Sequence, residues 1–214
     1  DGYRAIRWNV ANVIQLLRRH AERHDSEYYY DVRSQDRDAL DLYERAARFI
    51  YLNRTCFNGL YRVNKAGRFN VPLGDYKAPR ICDEAGLEAV ATVLCYGVEL
   101  LDDSFETVEH HARRGDAVYF DPPYLPTSKT ANFAAYHVDG FRLQDHQRLA
   151  AVFNTLVARK IDVLLSNADV PLVREVLHVG MDVSIERVQA PRRINSKGSA
   201  RGNVSELLIC SRHE

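Results

Sequence analysis

The sequence lacks the features that define several large classes of protein. It has no net charge, since 29 lysines and arginines balance 29 aspartates and glutamates, so bulk positive charge does not drive it onto nucleic acid. Its apolar runs, such as residues 161–165, stop far short of the roughly 18 residues that a membrane span needs. We therefore expect neither a membrane span nor a secretory leader, and any nucleic-acid-binding face has to be local.

Cysteine is scarce and widely spaced. The four cysteines at positions 56, 82, 95 and 210 form no C-x-x-C pair and have no nearby histidine at metal-ligand spacing. Disulfide frameworks are usual in shorter, secreted chains. We therefore predict four reduced core residues, no metal site and a cytosolic compartment.

Length and periodicity predict an α/β fold. The 214 residues, 46% of them hydrophobic, suffice for one compact domain with a smaller insert. Apolar residues spaced three or four apart predict helices over residues 5–20, 36–52, 86–101 and 143–159. Short apolar runs predict strands over residues 117–120, 161–166, 182–188 and 204–210. A further helix follows, which the Asp169 side chain could cap, with Pro171 near its first turn. This order predicts a sheet with crossover helices and a C-terminal antiparallel hairpin.

The segment from Arg54 to Arg80 combines positive charge with amides, aromatic rings and glycines. Six lysines and arginines against one aspartate give it a local excess of five positive charges. Such a surface holds phosphates and offers planar groups to bases. A solvated, hairpin-rich loop explains the composition equally well. A second stretch, Arg187 to Arg201, has five positive charges and no acid, and either grips a phosphate backbone or is simply solvated.

Asp121-Pro122-Pro123-Tyr124 follows the predicted strand 117–120. The prolines end the strand because they have no N–H to donate, and ligands of open α/β sheets bind beyond the carboxyl ends of strands. The Asp121 carboxylate and the Pro122 carbonyl can accept hydrogen bonds from one amino group, while Tyr124 offers a flat face to a base. The alternative is a proline turn that merely closes a strand.

In several blocks the sequence resembles the Dam-type N6-adenine DNA methyltransferases of bacteria and phages. The resemblance runs from about Tyr28 to Ser211. It rests on Tyr51-Leu52-Asn53-Arg54, Phe57-Asn58-Gly59-Leu60-Tyr61-Arg62, Phe69-Asn70-Val71-Pro72, Asp121 to Tyr124, Ala131-Asn132-Phe133 with Tyr136-His137, and Leu165-Ser166-Asn167. It implies a Rossmann-like sheet with a small inserted DNA-recognition subdomain, S-adenosylmethionine as cofactor, double-stranded DNA as partner and a flipped target adenine.

The resemblance also implies roles for the residues at the predicted strand end. Asp121 and the Pro122 carbonyl hold the adenine N6 amine, Pro123 completes the motif and Tyr124 stacks on the base. Asp121 also lies near the charged end of the cofactor. Phe105 is a candidate for packing on the cofactor adenine, and an ordinary core phenylalanine explains it at least as well.

For the basic segment the resemblance implies DNA recognition at a GATC-like site. Arg62 reads a guanine, where the alternative is an exposed residue that aids solubility. The other implied contacts are apolar contacts to thymine, entry into the base stack and grip on phosphates. Leu60 and Pro72 contact thymine, and Phe57 with Asn58 enters the base stack. The predicted phosphate contacts are Asn64, Asn70, Lys77, Arg193 and Lys197.

The sequence departs from the family pattern at four places. Phe57 stands where tyrosine is common, Asp75 where a basic residue is common, and Arg7 about where an acidic residue binds the cofactor ribose. No F-x-G-x-G-type turn precedes Asp1. The chain thus resembles a family member without its cofactor-binding start. An alternative is a DNA-binding fragment or degenerate homologue without catalysis, and a third interpretation is methylation of cytosine N4 or of RNA.

We predict three regions along the chain. Residues 1–35 are the remainder of an N-terminal methyltransferase core, residues 36–101 are the helical and β-hairpin target-recognition region, and residues 102–214 are the catalytic core. The family resemblance and the cysteine usage together predict a cytoplasmic, nucleoid-associated enzyme.

Overall fold

The computed structural model describes residues 1–125, 141–177, 182–192 and 202–212. The chain divides into two compact units, Asp1–Asp102 and Asp103–Glu214. Within the described residues, no helix has the length and apolar character needed to cross a membrane.

The first unit is helical. Its α-helices are α1 (Gly2–Glu22), α2 (Ser26–Ser34), α3 (Leu42–Thr55) and α4 (Glu84–Cys95), with 3-10 turns at Arg37–Ala39 and Phe57–Gly59. The helix predicted over residues 36–52 begins only at Leu42, because Asp41 and Glu44 form a capping box there. The Asp41 side chain accepts from the backbone N–H of Glu44, and the Glu44 side chain accepts from the backbone N–H of Asp41. The predicted helix over 86–101 ends early, at Cys95, ahead of Gly97 with its positive φ of 72°.

Helix α2 is not predicted by periodicity. Its sequence, Ser26 to Ser34, is polar and tyrosine-rich, and only Tyr29 and Val32 are buried. The helix begins where the Asp25 carboxylate accepts a hydrogen bond from the backbone N–H of Tyr28 at 2.8 Å. Two buried positions three apart give too weak a stripe for a sequence-based prediction.

An aromatic cluster joins α1, α2 and α3. The imidazole of His20 stacks on the ring of Tyr51, with 4.7 Å between centroids, and its Nδ1 lies 2.8 Å from the Tyr28 hydroxyl. Burial lowers the pKa of His20 to about 4, with a smaller contribution from the positive charge of Arg23. The histidine is therefore neutral in the folded unit at neutral pH.

The second unit is built on a four-stranded sheet. Its described strands are β1 (Ala117–Phe120), β2 (Asp162–Ala168), β3 (Val183–Arg192) and β4 (Gly202–Ser211). Their order is β1-β2-β4-β3, with β1 parallel to β2 and the other two pairs antiparallel. Its helices are α5 (Val108–His111), α6 (Leu143–Ala158) and α7 (Pro171–Leu177), with a 3-10 turn at Phe105–Thr107.

This topology confirms the predicted α/β class. Helix α6 is the crossover that a parallel connection from β1 to β2 requires, and β3 with β4 forms the predicted C-terminal hairpin. Leu149, Phe153 and Leu156 on α6 belong to the same buried apolar cluster as Leu165 and Ile209 of the sheet. Helix α7 begins at Pro171 as predicted, whereas the Asp169 carboxylate is engaged by Ser205 and Arg187.

The prediction for the cysteines is partly wrong. All four thiols are free, but Cys95 is exposed and only Cys56 is fully buried. Cys95 is the last residue of α4, and it stays exposed although its thiol lies 3.8 Å from the Arg7 carbonyl oxygen of α1. Regular apolar spacing does not reveal which position of a helix end faces solvent.

The stability of the first unit should decrease with acid because of His20. Its pKa is about 4 in the folded unit, below its ordinary value of 6.5. Its contribution is therefore complete above pH 6.5 and is lost as the pH falls to 4, by no more than roughly 3 kcal/mol. Amide protection factors across α1 and α2, which are corrected for the intrinsic effect of pH on exchange, should fall less steeply with acid in His20→Gln than in wild type. The exposed His110→Gln is the control, and equal pH dependence in all three proteins would contradict the assignment.

Candidate functional site

Asp121 to Tyr124 lie at the carboxyl end of β1, where the sequence predicts a ligand site. The strand ends at Phe120, whose buried ring belongs to the core of the second unit. Asp121 and Pro123 are exposed, while Pro122 and Tyr124 are half-buried. The carboxylate of Asp121 is therefore open to a ligand beyond the edge of the sheet.

A buried serine on the adjacent strand holds the Asp121 carboxylate. Ser166 on β2 donates a hydrogen bond from its hydroxyl to Oδ1 of Asp121 at 3.0 Å. The same hydroxyl accepts a hydrogen bond from Tyr119 at 2.9 Å. Ser166 is 7% exposed whereas Tyr119 is 61% exposed, so this chain of hydrogen bonds runs from the surface of the sheet to Asp121.

Asn167, the next residue, fixes the backbone after Tyr124. Its side-chain oxygen accepts hydrogen bonds from the backbone N–H of Leu125 at 3.0 Å and of Ala168 at 2.9 Å. Asn167 is itself buried. The polar pair Ser166-Asn167 in an otherwise apolar strand thus holds both ends of the Asp121–Leu125 segment.

Tyr124 is held at its hydroxyl. It donates a hydrogen bond to Oε2 of Glu206, on β4, at 3.3 Å. Burial raises the pKa of Tyr124, and the negative charges of Glu206 and Asp121 raise it further, against a hydrogen bond with Ser166 that lowers it. The phenol therefore stays neutral near pH 7, and its ring can offer an uncharged face to a flat ligand.

Phe105 already has partners in the second unit. Its half-buried ring packs against the apolar core, 5.7 Å from the ring of Phe141. The guanidinium of Arg148 lies 5.3 Å from the ring centroid and pairs with Glu106 at 2.6 Å. These contacts fit a packing role, and the cofactor-stacking role stays a prediction.

The basic segment of the first unit forms a loop with a fixed base. Two backbone hydrogen bonds close the loop beside the end of α3 at Thr55. Phe57 donates its N–H to the Pro72 carbonyl at 2.9 Å, and Gly74 donates its N–H to the Thr55 carbonyl at 2.8 Å. The Val71 carbonyl accepts from the hydroxyl of Tyr29 at 3.0 Å and from Arg33 at 3.2 Å. The buried part of this loop is thus tied to α2 and α3.

The outer part of the loop is a short hairpin. Val63 and Phe69 form an antiparallel bridge, and the side-chain oxygen of Asn64 accepts from the backbone N–H groups of Ala66 and Arg68, both at 3.0 Å. Asn64 therefore shapes the turn. This use of its oxygen is additional to the phosphate contact predicted for it.

Asn70 is bonded to Arg62, the predicted reader of guanine. Its side-chain oxygen accepts from Nε of Arg62 at 2.8 Å, and its carbonyl accepts from Nη2 at 3.4 Å. The Nε–Nη2 edge of the guanidinium is engaged by these bonds, so the orientation of Arg62 depends on Asn70. This contact is additional to the phosphate contact predicted for Asn70, and no sequence pattern indicates it.

The remaining predicted DNA contacts lie on the surface of the first unit. Phe57, Leu60, Pro72 and Lys77 are exposed, and Asn58 adopts a positive φ of 55° at the turn next to Phe57. Three parts of the prediction, Arg193, Lys197 and the block 131–137, lie outside the described residues. The described residues contain no group of three or more His, Cys, Asp or Glu side chains that could hold a metal ion.

Four residues of this site were not predicted from the sequence: Tyr119, Ser166, Asn167 and Glu206. A signal existed for two of them, because consecutive polar residues in a buried strand require partners, and Leu165-Ser166-Asn167 was among the family blocks. Tyr119 and Glu206 gave no such signal, since a polar residue in an edge or half-buried strand is usually solvated.

Comparison with known proteins identifies the family. Residues 2–194 match the D12 class N6 adenine-specific DNA methyltransferases, and the chain belongs to this family. It is 39% identical over 212 residues to the type II methyltransferase M1.LlaDCHI of Lactococcus lactis subsp. cremoris, covering 97% of this chain and 74% of that protein.

Two further relatives agree with this assignment. The type II methyltransferase M.MjaIII of Methanocaldococcus jannaschii is 42% identical over 187 residues, covering 86% of this chain and 64% of that protein. The DNA adenine methylase of Escherichia coli K12 is 39% identical over 219 residues, covering 96% of this chain and 73% of that protein. The chain spans about two thirds to three quarters of the length of these relatives.

The base of the basic loop should tolerate no side chain at Gly74. A Cβ at this position would lie 2.9 Å from the Cys56 carbonyl oxygen and would also clash with the ring of Tyr76. We expect Gly74→Ala to accelerate tryptic cleavage within the loop, where Arg62, Lys65 and Arg68 are exposed.

Gly67→Ala is the matched control for this substitution. Gly67 has a positive φ of 73°, but no described atom lies within 4 Å of the added Cβ. This change should cost only about 1–2 kcal/mol of local strain at the tip of the loop. Equal cleavage rates in the two variants would show that the contacts at the base do not hold the loop.

Proposed function

We propose that the protein transfers a methyl group from S-adenosylmethionine to N6 of a flipped adenine in double-stranded DNA, at a GATC or related site. The observation that carries this proposal is the exposed Asp121 carboxylate at the carboxyl end of β1, with its Oδ1 fixed by Ser166. Membership of the adenine-specific family supports the same reaction.

The proposed role of Asp121 follows from the acceptors of a carboxylate. It has two oxygens, each with two lone pairs, so the bond from Ser166 leaves acceptor positions for an amine. Asp121 and the Pro122 carbonyl accept from the two N–H groups of the N6 amine and hold the amine in place. Methyl transfer would form the N6–methyl bond as the methyl–sulfur bond breaks, with the electron pair left on a neutral thioether sulfur. N6 would then carry a positive charge, which the Asp121 carboxylate would stabilise until a proton passes from N6 to water.

The second unit fits a positively charged methyl donor. When bound, S-adenosylmethionine supplies an electrophilic methyl group on a sulfonium centre. Asp121 is exposed and anionic, which suits the charged end of this cofactor, and the edge of the half-buried Phe105 ring is the proposed contact of its adenine. Tyr124, kept neutral by its surroundings, is proposed to stack on the target base.

The basic loop is proposed to read the DNA sequence. Asn70 holds one edge of the Arg62 guanidinium, so a further edge is presented in a set direction to O6 and N7 of a guanine. Leu60 and Pro72 supply exposed apolar surface for thymine methyl groups, and Phe57 with Asn58 is proposed to fill the place of the flipped base. Asn64 and Lys77, with Arg193 and Lys197, are proposed to contact phosphates.

The proposed division of labour follows the chain. Residues 36–101 are proposed to recognise the target and residues 102–214 to carry the chemistry. Residues 1–35, which fold within the first unit, are proposed to serve the methyltransferase core. Because its proposed substrate is bacterial or phage DNA, we expect the protein to act in the cytoplasm, at the nucleoid.

Replacing Asp121 by Ala should abolish methyl transfer and leave DNA binding nearly intact, because Asp121 acts on the amine and the basic loop supplies the affinity. Incorporation of labelled methyl into duplexes with and without GATC measures the first, and a gel-shift titration measures the second. Glu175→Ala, which removes an exposed carboxylate on α7, is the control. Turnover in Asp121→Ala would refute the catalytic assignment, and methyl on cytosine or RNA would refute the substrate.

Replacing Arg62 by Ala should cost about 1–3 kcal/mol of discrimination at one guanine, as loss of a bidentate base contact does. Asn70→Ala should lower the same discrimination by a smaller amount, because it releases the guanidinium without removing it. Arg68→Ala, at an exposed basic residue of the same loop, should weaken binding to all sequences alike. If Arg62→Ala also weakens all sequences alike, Arg62 is a phosphate contact.

A further inference from the structure

The hydroxyl of Ser166 has a defined direction of donation. A serine hydroxyl has one proton and two lone pairs. The Tyr119 hydroxyl donates to Ser166 Oγ at 2.9 Å, and Ser166 Oγ lies 3.0 Å from Oδ1 of Asp121. The Tyr124 hydroxyl, which donates to Glu206, is a second hydrogen-bond partner of Ser166. An ionised carboxylate can only accept and is a stronger acceptor than a phenol oxygen, so the single proton of Ser166 goes to Asp121, and the bond from Tyr119 occupies a lone pair of Ser166.

The register of the sheet produces this arrangement. Phe120 pairs with Leu165 in the parallel ladder, so the residues that follow them, Asp121 and Ser166, come side by side. Tyr119 and Asp121 are two residues apart and share a face of the strand. Asn167 points to the opposite face and holds the Leu125 backbone, so the Leu125 end of the segment is fixed independently of Ser166.

We propose that Ser166 is a positioning residue for Asp121, with Tyr119 as its partner. Ser166 fixes the side-chain rotamer of Asp121 by binding Oδ1, so that the other oxygen faces the N6 amine. This inference rests on the proposed function, since it gives the carboxylate its orientation toward adenine. Ser166 is 7% exposed, so few water molecules compete for its hydroxyl.

A comparable bond in the same sheet provides a matched control. Ser205 on β4 donates to Oδ2 of Asp169 at 2.8 Å, and Asp169 also pairs with Arg187 at 2.8 Å. Ser205→Ala removes the same chemical group as Ser166→Ala, from a carboxylate to which no role in the reaction is assigned.

The experiment measures single-turnover methylation of a GATC duplex in the full-length protein, with enzyme and S-adenosylmethionine in excess. We expect Ser166→Ala to lower the rate by about 10- to 100-fold, as loss of a positioning contact does. Ser166→Thr, which keeps the hydroxyl, should recover most of that rate. Tyr119→Phe should have a smaller effect, and none when added to Ser166→Ala, because the two residues act in one chain.

A second readout separates positioning from structural damage. Fluorescence of 2-aminopurine at the target position reports base flipping without methyl transfer. This fluorescence, the gel-shift affinity and the melting temperature should each be the same in Ser166→Ala as in wild type. A rate for Ser166→Ala equal to that of Ser205→Ala would overturn the inference. So would a parallel loss of flipping, affinity and melting temperature, or no recovery in a folded Ser166→Thr. Failure of the wild type to methylate any duplex would instead reject the proposed function.

Discussion

The parallel pairing of β1 with β2 is the constraint on which the candidate site depends. It aligns Phe120 with Leu165, and the residues after each, Asp121 and Ser166, then meet at the same edge. A shift by one residue would reverse the faces of β2, turning Ser166 toward the core and Asn167 toward the carboxylate. The core fixes this register, because Phe120, Val163, Leu165 and the apolar face of α6 are buried together.

The strands of this sheet can be predicted from the sequence, whereas the hydrogen-bond partners of their side chains cannot. Strand β1 and the segment after it lie where predicted, because a short apolar run followed by two prolines has one simple interpretation. The bonds from Ser166 to Asp121 and from Tyr124 to Glu206 join residues 45 and 82 positions apart. Such pairs are created by the topology, and no local spacing indicates them. Likewise, nothing in the sequence indicates that Asn70 binds Arg62, and its phosphate contact stays a prediction.

The basic loop achieves order without regular strands. Its two described bridges, Cys56 with Leu73 and Val63 with Phe69, are isolated, so its shape depends on side chains such as Asn64, Tyr29 and Arg33 that bind its backbone. A loop ordered before binding loses less conformational entropy when it meets DNA. Positive charge and exposed rings can then be displayed without the unfavourable cost of folding the loop on the duplex.

The buried thiol of Cys56 lies at the base of this loop, where it donates a hydrogen bond to the Leu60 carbonyl at 3.2 Å. Burial raises the pKa of Cys56, so little of the reactive thiolate forms at neutral pH. Cys95 is exposed on α4. A thiol-directed fluorophore will therefore attach first at Cys95 and leave the loop intact, which gives the chain a native position for a spectroscopic probe of the first unit.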